Sequence, residues 1–223
     1  MHTPHERYDI YGQIHRALRA AMSQTLVDLG RVDAASDVSV ETAMQDVDNL
    51  LKFCLGHLEH ENVFVHAAMD ARRPGSSHKT ASDHDQHLSA IDMLTRDIGR
   101  VRSSSGAERR ARLLALYQHL SGFVAENFEH MLIEESYNNA VLWDLYTDAE
   151  IEQIERNLVA SIPPPQAAEV MRHMLPAISQ PERIEKLGQM RAAMPGEAFR
   201  GLFEMILPLV PQADRVRLEA ALA

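Results

Sequence analysis

Apolar residues recur along this chain in steps of three and four. No stretch alternates apolar and polar with the period of two that a strand shows. The periodicity predicts four long helices, over residues 5–29, 40–71, 82–102 and 107–138, and a shorter one over 147–160. Breakers fall between them: Gly30, the loop "VDAASDVS", and then "RRPGSSHKTAS", "RSSSGAE" and "SIPPPQ". Beyond residue 161, Pro176, Pro181, Pro195, Pro208 and Pro211 cut the chain into short helical pieces, because proline is costly inside a helix. The expectation is all-α: an up-down four-helix bundle over residues 1–160, with a small helical extension over 161–223 that serves as a cap or a partner surface.

An antiparallel bundle buries a seam on each helix. On the first it reads Tyr8, Tyr11, His15, Leu18, Met22, Leu26, Leu29, and on the second Val47, Leu50, Cys54, His57, Glu61, Phe64, Ala68. The third carries His84, His87, Ile91, Leu94, Ile98, Val101. The fourth carries Leu113, Leu116, Leu120, Phe123, Asn127, His130, Glu134, Tyr137. Seven titratable residues thus sit among apolar ones: His15, His57, Glu61, His84, His87, His130 and Glu134.

An isolated ion in a low-dielectric core costs several kcal/mol even after relaxation. A single such histidine is more often a satisfied core residue than a ligand. Seven of them, from all four helices, point to a metal site lined by imidazoles and carboxylates. His57 and Glu61 are four apart and share a helix face, as are His130 and Glu134. Glu59 falls on the opposite face, and His60 lies beside the seam. Ser82 or Thr80 is the expected cap of the third helix, which puts His84 in its first turn with Asp83 as a competing carboxylate. His87 is then the better placed of the two. His2, His5, His66, His78, His119 and His173 lie off the seams and are expected at the surface.

Composition narrows the class. A net charge of −10 argues against nucleic acid or an anionic membrane surface as partner. A lone Cys54 rules out an internal disulfide framework and fits a reducing compartment. The first residues, "MHTPHERYDI", lack a signal pattern, and no run of 18 apolar residues occurs; a cytoplasmic protein is expected.

Five imidazoles and two carboxylates without thiolates suit iron, zinc or manganese rather than a structural zinc finger. Seven ligands are too many for one ion. Two octahedral ions need about twelve positions. Five histidines, two bridging glutamates and one bridging oxygen fill all but about one of them, where a small ligand would bind.

These motifs resemble the hemerythrin family, the HHE cation-binding domains, over residues 5–140: His15, "HLEHE" (His57 to Glu61), "HDQH" (His84 to His87) and "HMLIE" (His130 to Glu134). Oxygen-carrying hemerythrins have HxxxH on the third helix and HxxxxD on the fourth. This chain has HxxH and HxxxE and is closer to the bacterial and iron-sensing members. The resemblance implies two non-haem iron ions with an oxo or hydroxo bridge, and a role in binding or sensing dioxygen, iron or redox state. A di-iron oxidoreductase or peroxidase, or a factor responding to nitric oxide or oxidative stress, is the alternative. Tyr8, Tyr11, Tyr137, Glu126 and His60 are its candidate proton or electron carriers. A structural bundle holding zinc or no metal is the third reading. An apolar lining of Leu18, Met22, Cys54, Phe64 and Phe123 favours binding over turnover.

Overall fold

The computed structural model describes residues 7–222, and they are all-helical, with no strand among them. The expected helix start at residue 5, and His2 and His5, lie outside those residues. Within them α1 covers Gly12–Leu29. α2 (Asp37–His60) begins at Ser36, whose hydroxyl accepts the Ser39 N–H at 3.2 Å. A π-helical segment, Glu61–His66, carries the same rod on into α3 (Ala67–Arg72). Gly75, at φ +81°, makes the turn that follows.

α4 (His78–Arg102) starts four residues before the expected boundary. Neither Thr80 nor Ser82 caps it: the Thr80 hydroxyl instead donates to the Ser77 carbonyl at 3.1 Å. α5 (Gly106–Ile133) passes through a second π-helical segment, Glu134–Asn138, into α6 (Asn139–Leu145). α7 (Asp148–Ser161) closes the series of predicted helices.

The chain forms two compact units. Among the described residues one comprises 7–12 and 21–158, the other 13–20 and 159–222, so α1 is shared between them. In the first unit α2 and α4 run antiparallel. Arg102 at the end of α4 bonds Glu41 and Asp48 near the start of α2, whereas Asn62, just past α2, meets His84 early in α4. α4 and α5 are antiparallel too. Arg112 donates to the Arg100 carbonyl at one end, and His84 faces His130 at the other. The seam positions of α4 and α5 from His84 to Val101 and from Leu113 to Glu134 are all buried. A separate apolar cluster of Tyr11, Val65, Met69, Val141, Leu142 and Ile151 lies beyond the π segments. Arg7 reinforces it, donating to the carbonyls of Trp143 and Tyr146 and to Asp148.

In the second unit the prolines mark helix starts. α8 (Pro164–Ala177), α9 (Gln180–Ala193), α10 (Gly196–Ile206) and α11 (Gln212–Ala221) follow in turn. Pro176 is the exception, sitting in the last turn of α8. Arg183 is buried, and donates to the carbonyls of Leu175 and Ile178 at 2.7 and 2.8 Å. Glu182 pairs with both guanidinium nitrogens of Arg16.

Candidate metal centre

Both HxxxE pairs end where the helix changes character. α2 stops at His60 and the π segment opens at Glu61. α5 stops at Ile133 and the second π segment opens at Glu134. A π turn accommodates one extra residue, so the residues beyond it are displaced by about 100° from the α-helical pattern. His57 and Glu61 keep the spacing that puts them on one face, and so do His130 and Glu134.

The donor atoms of Glu61, His84, His130 and Glu134 all lie within 4.8 Å of one another, and all four residues are buried. His57 joins Glu61 and Glu134 within the same limit. Each Glu61 oxygen faces a different imidazole: Oε1 lies 3.2 Å from His57 Nε2, and Oε2 lies 3.4 Å from His84 Nε2. Glu134 is split in the same way, with Oε1 3.7 Å from His84 Nε2 and Oε2 3.3 Å from His130 Nε2. His84 Nε2 and His130 Nε2 are 3.0 Å apart.

These separations fit metal ligation. Two atoms about 2.1 Å from one ion lie about 3.0 Å apart at a right angle and about 3.4 Å apart at the tetrahedral angle. The donor set of nitrogen and carboxylate oxygen, without sulfur, suits iron, zinc or manganese.

Without a metal the site relies on protons. Burial disfavours the imidazolium of His84, but hydrogen bonds to Glu134 and Glu61 outweigh it and hold its pKa at about 9. His87 goes the other way. Burial, and then the neighbouring His130 and His84, push it down to about 4. Its Nδ1 is buried with no hydrogen-bond partner among the described residues.

The surroundings are layered. One to two turns to one side of the ligands lie Cys54 on α2, Ile91 on α4 and Phe123 on α5, all buried. Burial raises the Cys54 thiol to about 12. The other side is polar. His66, Thr80, Asn138 and Tyr11 are buried there and joined: Thr80 Oγ1 is 3.0 Å from His66 Nε2, and Asn138 Nδ2 donates to Tyr11 Oη at 3.1 Å and to Thr80 Oγ1 at 3.3 Å. Burial, then the charges of Glu134 and Glu61, raise the Tyr11 phenol well above its usual range.

Several expectations need revision. His66 is not at the surface: it is buried, its ring stacked 4.8 Å from that of His84. The π segment turns it inward, and moves the seam from Phe64 and Ala68, both half-buried, to Val65 and Met69. Phe64 therefore leaves the apolar lining. The second π segment acts alike: Tyr137 is 46% exposed, while Asn138, Val141 and Leu142 are buried. No signal in the α-period marks these insertions. His84, placed by the sequence in a first turn, is nearly two turns into α4, and it joins the convergent donors. His87, expected to be the better placed, is buried with its ring 4.8 Å from that of His130 but offers no atom to the group. Asp83 does not compete. Its oxygens accept from Lys79 Nζ at 2.5 and 2.6 Å, and one lies 3.5 Å from His130 Nδ1.

His15 is fully buried in the part of α1 that belongs to the second unit. Glu59 is exposed and His60 half-buried. His78 and His119 are exposed and His173 half-buried. Of the candidate carriers, Glu126 is exposed, and Tyr8 donates its hydroxyl to Glu155.

Comparison of the chain with protein-family models, curated proteins and solved structures finds no match. The reading of the site rests on its geometry.

Proposed function

We propose that the chain is a hemerythrin-like up-down four-helix bundle whose buried centre holds two non-haem iron ions and binds or senses dioxygen, or reports iron or redox state. The observation that carries this reading is the division of one carboxylate, with Glu61 set between His57 and His84 at 3.2 and 3.4 Å. A carboxylate so divided is suited to hold two ions rather than one. His57, His84, His130, Glu61 and Glu134 are the residues that would hold the ions. His87 stands behind His130, with ring centroids 4.8 Å apart. When bound, two ferrous ions supply the electrons that dioxygen uptake draws on.

The residues of the chain supply the rest. The layer of Cys54, Ile91 and Phe123 excludes water from one side, which disfavours charge separation there. The polar layer holds the imidazoles in place from the other. A second reading, a di-iron oxidoreductase or peroxidase, draws on Tyr11, a buried phenol that feels both carboxylates.

Metal content per chain, measured on protein expressed with iron and paired with visible spectra in air and after anaerobic reduction, tests the proposal. About two irons, with bands that bleach on reduction and return in air, are expected. His57→Ala and Glu61→Ala should each lose most of the metal and Glu59→Ala none. One zinc and no chromophore, or equal metal in all three variants, would overturn it. Steady turnover of peroxide or nitric oxide would move the assignment to the second reading.

A further inference from the structure

Asn62 sits immediately after Glu61, at the second position of the π segment, on the outer side of the centre. Its side-chain oxygen is 2.8 Å from His84 Nδ1 and 3.0 Å from His66 Nδ1. Those two rings are stacked, with centroids 4.8 Å apart and 25° between planes. The far nitrogen of His66 meets Thr80 Oγ1 at 3.0 Å, and Thr80 also receives Asn138 Nδ2. His84 Nε2 is the nitrogen that faces Glu61, Glu134 and His130.

From this geometry we infer that Asn62 is a positioning residue for the metal centre: its amide oxygen takes the Nδ1–H of His84, and so aims a bare His84 Nε2 at the ions. The inference rests on the metal reading above. A neutral imidazole has one proton and one lone pair. An acceptor at Nδ1 keeps the proton there and leaves the lone pair on Nε2, where a metal needs it. An amide oxygen does this without adding a charge to a site that already holds two carboxylates. His66 packs beside that oxygen, its Nδ1 3.0 Å away and its Nε2 3.0 Å from Thr80 Oγ1. Glu61 and Asn62 are consecutive, so the π segment places a proposed bridging ligand and the clamp of a second ligand by the same local distortion.

The test compares wild type with Asn62→Leu, which removes the acceptor, and Asn62→Asp, which restores it. Zinc or cobalt affinity is measured by competition with a chelating indicator. Asn62→Leu should bind about 10–100-fold more weakly, the range seen when a partner behind a metal ligand is removed. Asn62→Asp should return to within a few-fold of wild type. Equal affinity in all three proteins, or an Asp variant as weak as the Leu variant, overturns the inference. Nitrogen-15 NMR of the metal-free protein gives an independent readout. The Nδ1 proton of His84 should exchange slowly in wild type and in Asn62→Asp, and be lost to fast exchange in Asn62→Leu. If wild type binds neither metal, the metal reading fails by itself, and the proton signal still judges the clamp: its persistence in Asn62→Leu overturns it.

Discussion

At the residue scale the centre is a balance of opposed titrations. His84 and His87 are three residues apart on one helix and both buried, yet one is held near 9 and the other near 4. The difference lies in what each nitrogen meets. His84 has two carboxylates within reach, and His87 has burial and other imidazoles. The consequence for His87 has a definite sign. Its folded pKa lies below the unfolded value of 6.5, so the stability it contributes is present above pH 6.5 and is lost as pH falls toward 4. Metal-free wild type should therefore lose melting temperature over that window, and His87→Leu should lose less. Parallel curves for the two proteins would show that His87 does not stay neutral in the fold.

At the scale of the element, the two π segments matter most. Each opens at a carboxylate, Glu61 or Glu134, and each shifts the buried face beyond it. π segments are rare, cost regular hydrogen bonding, and gather at functional sites. Val63 is 62% exposed within the first segment, so its removal deletes little packing. Deleting Val63 should let this stretch relax to an α-helix while the flanking helices keep their faces. The variant is expected to retain the helical circular dichroism of wild type and to lose most of its metal. Full metal content in the deletion variant would separate the π geometry from binding. The helical pattern was legible because seams such as Ile91, Leu94, Ile98 and Val101 repeat at the α-period. The π insertions were not, because a one-residue offset leaves the composition of the next turn unchanged. Val65 and Met69 are as apolar as Phe64 and Ala68 beside them.

At the scale of the molecule, the unit that contains Glu61 and Glu134 places buried carboxylates among its α2, α4 and α5 seams, and a bound metal would offset that cost. Binding to the folded state alone adds RT ln(1 + [L]/Kd), about 4 kcal/mol when free metal is a thousandfold above Kd. For a chain of this size that is a rise in melting temperature of roughly 8–16 °C. Chelation should reverse the rise. If calorimetry resolves two transitions, the one that moves is that of the unit holding these glutamates. A metal-independent melting curve would contradict the proposed centre. No helix among the described residues is long and apolar enough to cross a membrane.

What the sequence determined by itself is the content of the helices and the chemistry of their seams. Periodicity decides which residues share a face, and breakers decide where faces end; both are local. It also determined that His57 and Glu61, and His130 and Glu134, lie one turn apart, since that spacing is a property of any α-helix. Tertiary structure alone decided the rest. It started α4 four residues early, at His78, which carried His84 to the convergent donors while His87 stayed outside. It turned His66 inward, and set Asn62 beside two imidazoles. Those outcomes depend on which nitrogen or oxygen of one helix meets an atom of another, at distances near 3 Å, and a one-dimensional pattern carries no term for that.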